Sequence, residues 1–289
     1  MFGLGFVIQR LRPLTDQTLK QLSGLVVEIL LPSFLFFTTA TAATPESLGV
    51  APALVVAGIV VPLFGYLLAT LAIKPSGVAD AQRSVFRFSI MIANTAFLGI
   101  PICVALFGPI GAVYAVLYDF GTTLVAMTLG IWELKGGRLD DWRPLIFNPL
   151  IWGVLVGLLW AVTGWKFPVW LATPFERLGD TTLPLALLVA GAQISNVRTP
   201  GAAWRRQLTG LTITRLAAVP IIVAFVFAMM GRSDLFSSVV VIQAAMPVGL
   251  TVSIMARNYE ADGEFAASAI LWSTLAALIS LPLVTILLN

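Results

Sequence analysis

The chain has 289 residues, 58% hydrophobic and 11% charged, with a mean hydropathy of +0.96. Soluble domains carry roughly 25% charged residues, so this composition excludes a soluble globular protein and points to an integral membrane protein. The net charge of +3 comes from Lys and Arg scattered through short loops; it reads as membrane topology, with a lipid bilayer and no nucleic acid as partner. Cys103 is the one cysteine, which rules out an internal disulfide, and there is no histidine. A proton relay near neutral pH would therefore fall to Asp or Glu, and no residues show metal-ligand spacing.

A bilayer core about 30 Å thick needs about 20 apolar residues per helix. Runs between charged or Gly/Pro-rich breaks predict spans at 22–40, 50–72, 86–107, 110–132, 145–164, 170–194, 208–230, 235–256 and 264–288. The opening MFGLGFVIQ is too short to cross and reads as the end of a truncated first span, giving ten. It lacks the basic start and small-residue cleavage site of a signal peptide. Counting from that stub, the loops after the odd-numbered spans hold Arg10, Arg12, Lys20, Lys74, Arg83, Arg87, Lys135, Arg138, Arg143, Arg198, Arg205, Arg206 and Arg257. The other side holds Lys166, Arg177 and Arg232, so the positive-inside rule puts the first set in the cytoplasm and the C-terminus outside.

The halves resemble each other. EILLPSFLFF (Glu28–Phe37) aligns with DTTLPLALLV (Asp180–Val189), and Gly111–Thr123 aligns with Gly263–Leu275, both 152 residues apart. Five spans per half is odd, so the second half enters from the opposite side. The expectation is an all-α fold with an inverted five-helix repeat: residues 1–132, a short cytoplasmic loop at 133–144, and residues 145–289.

The fourth span of each half carries its own interruption. ANTAFLGIP (Ala93–Pro101) and IQAAMPVGL (Ile242–Leu250) each combine an amide, a glycine and a proline, with Thr95, Thr251 and Ser253 close by. Proline removes a backbone donor and clashes with the preceding turn; glycine loosens the backbone. In hydrocarbon such breaks survive only where protein or a water-filled cavity satisfies the freed groups. Two matching breaks in inverted halves would meet near the midplane. Their half-helix N-termini would then offer N–H groups and partial positive charge to an anion.

Ionisable residues inside spans are functional candidates. Asp119 in the fifth span is expected to take a proton or cation, or to serve structurally. Arg215 in the eighth reads as a snorkelling side chain or a balance for Asp119. Glu28 and Asp180 read as structural and interfacial. Trp132, Trp142, Trp165 and Trp170 read as interfacial anchors, Tyr114, Tyr118 and Cys103 as packing.

NTAFLGIP (Asn94–Pro101), ALFGPIGAVYAVLYD (Ala105–Asp119), LPLALLVAGAQIS (Leu183–Ser195) and QAAMPVGLTVSIMARNY (Gln243–Tyr259) together resemble the auxin efflux carrier family, whose bacterial members include malonate and malate permease-like proteins. The resemblance implies a ten-helix fold with crossed, broken fourth and ninth helices, similar to bile-acid and sodium–proton antiporter folds. It implies a scaffold of spans 1, 2, 6 and 7, a mobile transport domain of spans 3–5 and 8–10, and a homodimer through spans 2 and 7. It maps the crossover prolines to Pro101 and Pro247 and the polar residue of the fourth helix to Asn94. The short loop between halves resembles prokaryotic members, hence a bacterial inner membrane.

The reading is a secondary carrier of a small organic anion, a carboxylate, working by an elevator-like shift. Asn94, Thr95 and Gln243 would bind the carboxylate, with Gly99, Pro101, Pro247 and Thr251 completing the site and Asp119 coupling to a proton or sodium. No catalytic residues, cofactor, metal site or nucleotide motif is expected, and the chain reads as a non-enzyme. The alternatives are a non-transporting sensor or partner subunit and a sodium-coupled bile-acid-type symporter.

Overall fold

A computed structural model describes residues 1–138, 143–195 and 204–288. Trp142, Arg198 and residues 139–142 of the expected central loop lie outside the described residues. The first part contains α1 (Phe2–Leu11), α2 (Asp16–Leu25), α3 (Leu31–Ala42), α4 (Pro45–Ser76), α5 (Arg83–Met91), α6 (Ile100–Val125) and α7 (Ile131–Leu134). The rest contains α8 (Arg143–Ile146), α9 (Pro149–Thr163), α10 (Val169–Ser195), α11 (Arg205–Ile213), α12 (Val219–Met229), α13 (Leu235–Ala244), α14 (Thr251–Asn258) and α15 (Gly263–Leu288). Among the described residues, strand-like pairing is limited to one isolated bridge.

The protein is an all-helical integral membrane protein. Gln17–Ala42, Pro45–Ser76, Thr95–Leu134, Arg205–Met229 and Gly263–Leu287 are long and apolar enough to cross a bilayer. Their outer faces expose large apolar side chains such as Leu71, Ile221, Phe225 and Leu283. In water such a surface would drive association; in lipid it meets its like.

Local chemistry sets the boundaries. Thr44 caps α4 by accepting from the Ser47 N–H while the Ser47 hydroxyl accepts from Thr44, and Pro45 takes the first-turn place where its missing N–H costs nothing. The helix stops at Gly77, whose φ of 67° only glycine adopts without strain. Gly108, with φ 66° and ψ −157°, interrupts α6 just before Pro109, where the sequence places a boundary between 107 and 110.

Proline acts in a second way. The π-turns Val26–Leu30, Thr95–Gly99 and Thr214–Ala218 each end two residues before a proline: Pro32, Pro101 and Pro220. A proline ring clashes with the carbonyl four residues back, and a widened turn moves that carbonyl aside without ending the helix. A fourth π-turn, Ala126–Gly130, has no proline behind it.

The 152-residue offset of the sequence recurs in space. Arg83 begins α5, and Leu235, at 83 + 152, begins α13. Gly108 has φ 66°, and Glu260, at 108 + 152, has φ 58°. The Thr182 hydroxyl donates to the carbonyl of Leu30, its own counterpart, at 3.3 Å. α1 packs on α10 through Gly5 against the Leu188 carbonyl, and α9 packs on α3 through Gly157 against the Phe36 carbonyl. Adding 152 to Gly5 and subtracting it from Leu188 turns the first contact into the second.

α4 and α6 make the other close approach. A Cβ on Gly58 would overlap the Tyr118 carbonyl, and one on Gly121 would overlap that of Val55. Gly58→Val and Gly121→Val are each expected to force the helices apart and cost about 1–3 kcal/mol, read as a lower thermal unfolding midpoint in detergent. Gly49→Ala, with open space around the added carbon, should stay at or above wild type.

Candidate functional site

α5 ends at Met91, Ile92 is extended, and helical structure resumes with the π-turn at Thr95. α13 ends at Ala244, and helix resumes with α14 at Thr251. The two gaps lie against each other. The Asn94 N–H donates to the Pro247 carbonyl at 2.8 Å, the Gly249 N–H donates to the Ile92 carbonyl at 2.9 Å, and Ala93 pairs antiparallel with Val248 between them. The Val248 N–H donates to the Ser273 hydroxyl of α15 at 3.1 Å. A Cβ on Gly249 would lie 2.9 Å from the Ala93 carbonyl oxygen, so glycine lets the two backbones close. Ala93, Asn94, Val248 and Leu250 are all buried.

Arg215, on the π-turn between α11 and α12, is 1% exposed. The snorkelling expected of it does not occur, and among the described residues no carboxylate pairs with it. Its Nε donates to the Met246 carbonyl at 2.9 Å, Nη2 to that of Ala244 at 2.8 Å and Nη1 to that of Ile90 at 3.1 Å. These are carbonyls of the second gap and of the C-terminal turns of α5 and α13, groups that a helix end leaves without partners. A cation there is also favoured by both helix dipoles.

Beyond the first gap, the Thr95 hydroxyl donates to Asp119 Oδ1. Asp119 is buried in α6 and borders a narrow crevice lined by Phe120 and Thr123 of α6, Leu35 of α3, and Leu150, Ile151 and Val154 of α9. The crevice has no room for a water molecule.

The other candidate residues divide. The Asn94 side chain precedes the Thr95–Gly99 turn without capping it. Thr251 is the half-buried first residue of α14. Pro247 lies in its gap. Pro101 does not: it is the second residue of α6, seven residues past Asn94, where the π-turn accommodates it. Gln243 is fully buried; its Nε2 donates to the Ala115 carbonyl at 3.3 Å, and its Oε1, without a hydrogen-bond partner among the described residues, packs on Gly99. Here the amide wedges α13 against α6.

Glu28 and Asp180 are exposed. Trp132, Trp165 and Trp170 are 40%, 73% and 75% exposed; Tyr118 and Cys103 are buried and Tyr114 half-buried. Glu133, taken from sequence as a loop charge, is buried: Arg87 Nε donates to its Oε1 at 2.7 Å, with Nη2 on the same oxygen, and Tyr66 Oη donates to Oε2 at 2.9 Å. Ser273 carries no sequence signal that separates it from other small helix residues.

The sequence matches the membrane transport protein family over residues 1–140 and again over residues 138–285. An uncharacterized transporter of Methanothermobacter thermautotrophicus is 26% identical, over 99% of this chain and 94% of its own. One of Methanocaldococcus jannaschii is 25% identical, over 93% and 90%. Auxin efflux carrier component 8 of Arabidopsis thaliana is 26% identical over 48% of this chain and 39% of its own.

Gly99→Ala is expected to drive a carbon into the Gln243 amide and cost about 1–3 kcal/mol. Combining it with Gln243→Ala should cost clearly less than the two single losses added, a coupling read from thermal midpoints in a double-mutant cycle. Strict additivity would show that the contact is not the cause.

Proposed function

The chain belongs to the membrane transport protein family, shared with the auxin efflux carriers, and on that premise we propose that it moves a small organic anion across the membrane by alternating access. One observation carries this: two helix gaps meet and pair, Asn94 with Pro247 and Gly249 with Ile92. Their following helices begin at Thr95 and Thr251. N-terminal turns carry free N–H groups and partial positive charge, which suits a carboxylate without a lysine or arginine in contact.

In this reading the chain is a ten-span inverted repeat, residues 1–132 and 145–289 joined by the loop at 133–144. The fourth and ninth spans are the broken, crossed pair. Spans 1, 2, 6 and 7, which include α1, α3, α9 and α10, form the scaffold and a homodimer contact through spans 2 and 7. The remaining spans slide along it as an elevator. The crevice between Asp119, Phe120 and Thr123 on one side and Leu35, Leu150, Ile151 and Val154 on the other is the sliding surface. Its scaffold wall is apolar and offers no hydrogen bond that movement would break.

The side chains of Asn94 and Thr251 and the backbone N–H of Thr95 hold the carboxylate, with Gly99, Pro101, Gln243 and Pro247 shaping the ground around them. Asp119, joined to Thr95, couples the site to a proton or sodium ion. The basic loops face the cytoplasm of a bacterial cell and the C-terminus faces outward.

Uptake of labelled mono- and dicarboxylates into proteoliposomes tests the proposal. Wild type should accumulate at least one; Asn94→Ala should lower its uptake about tenfold or more with the thermal midpoint kept, the loss expected of one hydrogen bond to a charged group. Asp119→Asn should remove dependence on an imposed proton or sodium gradient. A wild-type protein that moves none of a broad panel sinks the carrier reading in favour of a sensor or partner subunit.

A further inference from the structure

We infer that Arg215 is the positioning residue of the crossing: by taking the carbonyls of Ile90, Ala244 and Met246 on one guanidinium, it fixes both gaps in register and neutralises carbonyls at the C-terminal ends of both half-helices. The geometry is specific. Ile90 belongs to the last turn of α5 and Ala244 is the last residue of α13, so the C-terminal ends of both half-helices converge on one side chain. The third bond reaches Met246, one residue before the Pro247 carbonyl that receives Asn94. Arg215 therefore holds the second gap directly beside the two-bond ladder.

The arrangement sorts the charges of the crossing. Each helix gap exposes carbonyls on one side and N–H groups on the other. Left alone, the two sets would offer a cation and an anion comparable sites. Arg215 takes three of those carbonyls, one from the end of each half-helix and one from the second gap, with a planar fork matched to several acceptors at once, and its charge biases the crossing toward an anion at the N-terminal turns. Without that cation, loose carbonyls in a water-free interior would each cost several kcal/mol. Nor is the residue part of the repeat: its counterpart at 215 − 152 is Leu63, which is exposed on α4. One arginine from one half serves both gaps.

The consequence for the sign of the ligand rests on the carrier reading above; the pinning of the ladder does not. Hydrogen exchange on the full chain in detergent, read at amides 94 and 249, tests the pinning in wild type, Arg215→Lys and Arg215→Met. Exchange at both amides should speed up about tenfold or more in Arg215→Met and by less in Arg215→Lys, which keeps the charge but not the fork; α1 and α10 should stay at the wild-type rate. Wild-type exchange at 94 and 249 in both variants overturns the inference, as does equal acceleration in α1 and α10. If Arg215→Met does not fold, Arg215→Lys alone decides by the same comparison. In parallel, acetate, benzoate and malate are tested for thermal stabilisation. An anion that stabilises wild type should stabilise Arg215→Lys less and Arg215→Met least. Ladder loosening with no anion effect in wild type supports the pin and tells against the carrier.

Discussion

Hydrogen-bond accounting inside hydrocarbon is the constraint on which this structure depends. A helix satisfies its own backbone; a gap does not, and each bare N–H or C=O costs several kcal/mol where water is absent. The gap at 92–94 and the gap at 245–250 solve this for each other. Two bonds run between them, Ser273 takes the Val248 N–H, and Arg215 takes three carbonyls. Neither interruption could satisfy its own backbone in a buried interior, and the fold brings the two together. The close approach at Gly249 and the burial of α5 and α13 follow from that requirement.

Composition made the membrane class legible, and the paired amide, glycine and proline runs marked where the helices stop. The positions within those runs were harder. Pro101 drew the eye, yet proline is at home in a first helical turn, and the break lies seven residues earlier at Asn94. The rule that joins the cases, a π-turn ending two residues before a proline, concerns carbonyl positions that a sequence does not display. Arg215 was visible but misread. It lies ten residues after Arg205, about 15 Å along a helix, which is deeper than snorkelling comfortably reaches. Its partners, 125 residues away in one case, could only come from the fold. The same holds for Glu133, whose partners Arg87 and Tyr66 are 46 and 67 residues distant.

The 152-residue offset links two packing contacts and fails at two buried charges. Gly5 on Leu188 and Gly157 on Phe36 are one contact written twice. Asp119 has Leu271 as its counterpart, and Arg215 has Leu63. Positions 152 apart share packing contacts, while the buried charges face apolar residues at the same offset. Prolines and glycines therefore display the 152-residue offset in the sequence, while Asp119 and Arg215 do not.

The crevice beside Asp119 admits no water. A wet seam beside a buried carboxylate would be a continuous file along which protons and small ions could hop, short-circuiting the membrane voltage whether or not cargo moved. The wall that faces Asp119 here is instead apolar, formed by Leu35, Leu150, Ile151 and Val154, and offers a migrating ion no ligand beyond the carboxylate itself.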